Sequence, residues 1–293
     1  MVRALSVLAT RQFTDCLLKY VEAVAFMKEK LRDRSIKDFG EQWSRYRNNE
    51  GYYGSLEMLQ DILGPNVACG DLLGKSVLDV GSGTGRIVKM LLAAGAAHVT
   101  AVEPSKAFTV LQQNVSSEPR NVTCLNLRGD QIPVDLDVDL AVAIGVLHHI
   151  PDPDPVVIAM RNALRPGGRI VVWLYGQEGN ALYLRIAEPL RHLTKRLPHL
   201  PLAVFCHILN FGLGVYALLS AYLPVPMRSY MRNVIWPLSR DKRYLVIYDQ
   251  LNPGYSKYYS RCEAYDLLHR NGFSHIALHH RHKYSWTVSG VRK

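Results

Sequence analysis

Val77-Leu78-Asp79-Val80-Gly81-Ser82-Gly83-Thr84-Gly85-Arg86 is the stretch that decides how this chain is read. An apolar strand runs into a turn with glycine at every second position, and the turn opens onto a segment, 86–92, whose apolar residues recur at helical spacing. Glycines in such a turn let the backbone approach a ligand, and the helix N-terminus behind it offers unpaired N–H groups. Twenty-two residues past Gly81, Glu103 closes the next apolar run in Ala101-Val102-Glu103-Pro104. A carboxylate at the tip of a second strand is placed to accept both hydroxyls of a ribose. The dinucleotide fingerprint G-x-G-x-x-G would need glycine where Arg86 stands, and no Gly-Lys-Ser/Thr follows to make a phosphate loop. The pattern left is that of a ribose-containing ligand whose other end is small and polar.

Working outward, apolar runs at 76–80, 98–102, 122–127, 139–146 and 169–174 alternate with helical stretches at 86–92, 108–115 and 155–164. Strands apolar on both faces, with helices between them, specify a Rossmann-like, doubly wound, mainly parallel α/β sheet. A last helix at 263–269 and strand runs at 274–279 and 285–291 bring the expected sheet to seven strands. Four regions follow: an N-terminal helical and aromatic cap (1–74), the α/β core (75–176), a helical insertion (177–260), and a segment completing the sheet (261–293). In the cap, Phe13, Leu17, Tyr20, Val21, Val24, Met27 and Leu31 predict an amphipathic helix packed on the body, followed by a polar, aromatic-rich stretch through Gly54.

At 293 residues, 48% hydrophobic and 20% charged, the chain fills a sizeable core, which excludes disordered and collagen-like classes. The five cysteines form no C-x-x-C pair, so neither a disulfide framework nor a zinc ribbon is suggested. The apolar start is broken at Thr10-Arg11, before a signal-peptide core forms, and a cytoplasmic location is expected. Charge is unevenly divided. Residues 1–181 hold 19 Lys/Arg against 20 Asp/Glu, while 182–293 hold 16 against 5, so the net +10 lies in the last third. Such a field favours an anionic partner: RNA, a lipid headgroup surface or an acidic substrate. Leu197 to Met227 carries no charged residue, and 200–223 is long enough to span a bilayer. His207, Asn210, Gly212 and Gly214 interrupt it, Pro198, Pro201, Pro224 and Pro226 bracket it, and a span would strand the last two β-strands across the membrane. It is read as a lid-like helical cap, with peripheral contact to a membrane surface as the alternative.

Five motifs in order at βα spacing resemble the class I S-adenosylmethionine-dependent methyltransferases, within the group that includes ubiquinone/menaquinone-biosynthesis methyltransferases. They are Asp79 to Gly85, Glu103-Pro104-Ser105, Gly129-Asp130, Ile144 to Pro153 with its His148-His149 pair, and Leu164-Arg165-Pro166-Gly167-Gly168. The resemblance covers about 75–176. It implies S-adenosyl-L-methionine as cofactor, with Gly81, Ser82, Gly83 and Gly85 admitting the methionine part, Asp79 meeting its ammonium group, and Glu103 with Pro104 at the ribose. Asp130 with Gln131 would meet the adenine, and Gly145 and Val146 would offer backbone groups. It further implies methyl transfer to a small-molecule acceptor at oxygen, carbon or nitrogen, and the uncharged stretch 200–223 beside a basic surface suggests a lipophilic one; an RNA methyltransferase and a non-catalytic cofactor-binding subunit are the alternatives.

An acceptor hydroxyl or acidic carbon needs its proton removed, and His148 and His149 are the candidate bases. Tyr46, Tyr53, Tyr175, Asp249 and Tyr255 are the candidate acceptor-site residues; loop 49–54 is expected to close over the cofactor and loop 249–255 to line the acceptor site. His279-His280-Arg281-His282 lacks a nearby carboxylate or cysteine and is read as solvated strand, with no metal expected. Basic residues scattered through apolar helices, without stripes of exposed aromatics, argue against nucleic acid.

Overall fold

The computed structural model describes residues 2–194, 197, 199–252 and 254–293, with the side chains of 2–17, 182 and 199 outside that description. The expectations for Phe13, Leu17 and Pro198 therefore lie outside the described residues. Its seven strands are β1 (Ser76–Val80), β2 (His98–Val102), β3 (Val122–Leu125), β4 (Val138–Ile144), β5 (Leu164–Tyr175), β6 (Phe273–Arg281) and β7 (Ser285–Arg292). They lie in the order β3-β2-β1-β4-β5-β7-β6. The first five are parallel, and β7 runs antiparallel between β5 and β6.

Alternation within each strand explains both layers. Val77, Val99, Val142 and Val171 point to one face, and Leu78, Ala141, Ile170 and Val172 to the other. The helices are α1 (Val2–Arg45), α2 (Leu56–Leu63), α3 (Arg86–Ala93), α4 (Phe108–Asn114), α5 (Asp154–Ala163), α6 (Ala181–Thr194), α7 (His199–Tyr222), α8 (Arg228–Tyr230), α9 (Arg240–Leu251) and α10 (Arg261–His269). Residues of α2 and α3 cover the first face; those of α5 and α10 cover the second. Strand order reverses between β1 and β4, which opens a crevice beyond their C-terminal ends.

Three expectations are corrected here. The N-terminal helix does not stop near 31: α1 continues to Arg45, because Ile36, Phe39 and Trp43 extend its apolar side while no helix breaker precedes Gly40. Among its described side chains Tyr20 and Phe26 are each 68% exposed, whereas Val24 and Lys28 line the cavity and Ser35 and Gln42 are buried. Gly40 allows the approach, since a Cβ there would lie 2.9 Å from that of Ser105. Second, β5 begins at Leu164, ahead of the expected 169: its pairing with β4 passes from Val138↔Leu164 to Leu140↔Arg169, so Arg165 to Gly168 stand out of register, with Gly167 at φ +76°.

Third, the His279–His282 segment is not solvated. Arg281 is 3% exposed and paired with Asp61, His282 Nε2 lies 2.8 Å from Asp61 Oδ1, and His280 stacks on Trp286 at 4.1 Å. The carboxylate that pairs with this segment is distant in sequence: Asp61 comes from α2. Burial alone would raise the Asp61 carboxyl; His282 and Arg281 more than reverse this and hold it below the usual carboxylate range. Asp61→Asn leaves the Arg281 cation buried without its anion and should lower unfolding free energy by about 3 kcal/mol, read from urea denaturation.

Candidate functional site

A cavity of about 1260 Å³ occupies the crevice and extends beneath α1 and the inserted helices. That exceeds the roughly 300–1,000 Å³ of an ordinary small-ligand pocket, leaving room for two molecules side by side. One half is built by strand tips. Gly81 and Ser82 donate to the Val102 carbonyl at 2.8 and 3.0 Å, which folds the glycine turn back over β2. The Glu103 carboxylate, 6% exposed, accepts the Gly83 amide at 2.8 Å through one oxygen and the Ser105 amide at 2.9 Å through the other. Each oxygen retains a lone pair for a further donor. Gly81 takes φ +74°, and a Cβ there would stand 2.5 Å from Val146 Cγ2, so glycine is required by both conformation and space.

The sequence-derived ligand set divides on inspection. Gly81, Ser82, Gly83, Glu103, Pro104, Asp130, Gly145 and Val146 line the cavity. Gly85 does not: at φ +81° it caps α3, and its α-carbon faces Leu111 of α4 and Val115 just after it. Gln131 is exposed, and its side chain accepts from the Arg128 amide. Asp79 lies behind the turn, outside the lining, buried with Oδ2 unpartnered, and burial lifts its carboxyl to about 7. Asp130 is held by Arg128 at 3.0 and 3.2 Å, with Arg32 of α1 at 3.9 Å.

Residues that sequence reasoning missed come mostly from α1. Arg32, Ser35, Ile36, Phe39 and Trp43 form one helical side facing the cavity, and Trp43 lies against Gly83. Their i, i+3, i+4, i+7 spacing was the available signal. Asn49 anchors the adjoining loop by accepting from Thr84 Oγ1 at 2.7 Å and donating to the Thr84 carbonyl at 3.2 Å.

The other half is aromatic. Tyr53, Trp173, Tyr175, Tyr183, Tyr230 and Tyr258 line it, together with Asp249. Asp249 lies inside α9, not in a loop; it accepts from Gln42 Nε2 and the Tyr175 hydroxyl, both at 3.2 Å. Tyr46 is elsewhere: its hydroxyl meets that of Tyr244 at 2.9 Å within the helical insertion, so it is withdrawn from the acceptor set. Tyr255 contributes its carbonyl and not its ring.

The two histidines separate clearly. His148 is fully buried, stands outside the lining, and neither ring nitrogen has a hydrogen-bond partner. His149 lines the cavity with Phe39 at 4.7 Å, and its Nδ1 lies 3.0 Å from the Tyr255 carbonyl. Burial pushes the His149 ring down to about 4, and burial with the neighbouring His149 holds His148 lower still than a free imidazole. Neutral His149 therefore donates from Nδ1 and leaves the Nε2 lone pair open. That is the arrangement of a proton acceptor.

Residues 78–170 match the family model described as a methyltransferase domain. A ubiquinone biosynthesis O-methyltransferase of Aeromonas salmonicida (strain A449) is 29% identical over 163 residues, 53% of this chain and 66% of that protein. A tRNA U34 carboxymethyltransferase of Ectopseudomonas mendocina (strain ymp) is 31% identical over 123 residues, 40% of this chain and 38% of that one. The chain thus spans less than two thirds of either relative. Magnesium protoporphyrin IX methyltransferase of Synechocystis PCC 6803, solved with S-adenosylmethionine, shares the fold at TM-score 0.50 and 16% identity, covering 91% of this chain and 97% of that one.

Two measurements check the site. Gly81→Ala should cost about 2 kcal/mol from backbone strain and the Val146 collision, and its combination with Val146→Ala should cost less than the two singles summed, read from urea denaturation. Because folded His149 titrates below its unfolded value near 6.5, the stability it confers is complete above that pH and declines as pH falls toward about 4. The melting temperature should drop over this window, and His149→Gln should flatten the decline.

Proposed function

We propose that this chain, whose residues 78–170 match a methyltransferase-domain model, is an S-adenosylmethionine-dependent methyltransferase that methylates a hydroxyl of a bulky, apolar small molecule. The observation that carries this reading is His149, lining the cavity with Nδ1 committed to a carbonyl and Nε2 without a partner among the described residues, beside an aromatic chamber.

The residues present fit the cofactor. Glu103 has lone pairs for ribose hydroxyls, Gly81, Ser82, Gly83 and Thr84 line the cavity, and the buried Asp79 Oδ2 behind them lacks a partner among the described residues. When bound, S-adenosylmethionine supplies a methyl group already activated by sulfonium, so alignment and exclusion of water are what the protein must add. Trp43 packs over Gly83 of the turn, and Phe39 lies against His149. Asp130, shared with Arg128, is available to an exocyclic amine. On the acceptor side, Tyr175 and Gln42 fix the Asp249 carboxylate, and His149 Nε2 receives the hydroxyl proton as the oxygen attacks. His148 packs 3.8 Å from the Tyr175 ring and serves to set that ring's position.

An RNA acceptor is disfavoured by where the cations go. Arg191 bonds Gln250 and Tyr258, Lys242 bonds the Asn48 carbonyl, and Arg281 pairs with Asp61. They hold the structure and form no exposed stripe.

The test is transfer from methyl-labelled cofactor into a panel of polycyclic and long-chain phenols. Label should enter the organic phase, and His149→Gln should lower kcat about 10²- to 10³-fold while S-adenosylhomocysteine binding by calorimetry stays within about twofold. Label entering RNA, or a His149→Gln rate equal to wild type, would overturn the assignment.

A further inference from the structure

We propose that α7 docks the protein on the surface of an anionic phospholipid bilayer, with the cavity mouth facing that surface. The docking stands independently of the methyl-transfer reading; delivery of an apolar acceptor through the mouth rests on it.

The helix has two unlike sides. Leu202, Cys206, Asn210 and Ala217 are buried against neighbouring elements, with Leu202 and Cys206 packed on Tyr244, Tyr248 and Leu251 of α9 and Asn210 bonded to the Arg240 carbonyl at 2.9 Å. Leu200, Val204, Ile208, Phe211, Val215, Leu218 and Tyr222 recur every three or four residues along the other side and are all exposed, Phe211 by 72%. At 24 residues the helix is about 36 Å long, so this is a continuous apolar strip and not scattered single residues.

Charge says what covers it. Between 189 and 240 the chain contains no Asp or Glu; its charged residues are Arg191, Lys195, Arg196, Arg228, Arg232 and Arg240. Lys195 and Arg196 precede the strip in sequence and Arg228 and Arg232 follow it. Arg228 donates to the Ser220 and Ala221 carbonyls at the end of α7, and both Arg228 and Arg232 lack a carboxylate partner among the described residues. Tyr222 and Trp236, both exposed, stand near the same end. An apolar strip bracketed by cations and interfacial aromatics suits a helix lying in an anionic headgroup layer. A bilayer span is excluded by topology. β5 precedes the insertion, β7 follows it, and the two are paired residue by residue from Arg169↔Val291 to Tyr175↔Ser285.

The cavity gives the surface a purpose. Ile208 belongs to the strip and also lines the cavity, and the exposed Val21 of α1 and Ile186 of α6 share that double position. The cavity lining therefore reaches the docking face at Ile208.

Vesicle co-sedimentation of the full chain tests this. Wild-type protein should sediment with phosphatidylcholine vesicles containing 30 mol% phosphatidylglycerol, and at least tenfold less with phosphatidylcholine alone or in 0.5 M NaCl. Phe211→Asp combined with Val215→Asp, positions outside the cavity lining, should reduce binding at least tenfold while S-adenosylhomocysteine affinity is unchanged; Arg232→Glu should weaken it severalfold. The proposal falls if wild type stays in the supernatant, if the double variant sediments like wild type, or if ultracentrifugation shows a dimer that the double variant converts to monomer. Vesicle binding without cofactor binding would sink the enzymatic reading and leave docking intact.

Discussion

The Glu103 carboxylate, reaching from the tip of β2 to the amides of Gly83 and Ser105, is the contact on which the binding half of the molecule turns. A charged group hydrogen-bonded to two backbone donors in a nearly dry setting is strongly directional, and here it joins the turn after β1 to the start of the next crossover. The turn can take that position only because Gly81 adopts a left-handed conformation over Val146, which belongs to the tip of β4. Three adjacent strand ends are thus registered against one another by one carboxylate and one missing Cβ. Trp43 and the α1 face above it then have a fixed floor to close on.

Much of this was legible in the amino-acid order, and for physical reasons. Alternating apolar runs are a local property, so strand and helix positions in the sheet followed from period alone, as did the turn whose glycines have no other use. The ribose carboxylate could be found because its spacing from the turn is set by one βα unit. Contacts made by distant elements left no such trace. Arg281 looked like a solvated strand residue because its anion, Asp61, is 220 positions away. Tyr46 and Tyr53 looked alike, yet one ends against Tyr244 and the other under Arg86 at 4.2 Å, a difference that depends on how the inserted helices seat. His148 and His149 are neighbours with opposite surroundings, and only the position of the Tyr255 carbonyl separates them.

Net charge was similarly deceptive. The excess of cations in the last third is real, but its most buried members are spent on internal carbonyls and on Asp61, while Arg228 and Arg232, which follow α7, are exposed. A single total conceals two populations with different work. Position relative to carboxylates, and not sum, tells them apart.

The insertion leaves and re-enters the sheet at almost one point. Gly176 and Tyr259 form an isolated bridge, the Gln177 amide donates to the Tyr259 carbonyl at 2.9 Å, and the Tyr259 amide donates to the Tyr175 carbonyl at 2.8 Å. An excursion pinched shut at its stem can change in length at little entropic cost, since loop-closure entropy grows only slowly with the length enclosed. Descendants of this scaffold are free to lengthen, shorten or exchange that module wholesale, acquiring new acceptors and new surfaces while the nucleoside grip beneath stays untouched.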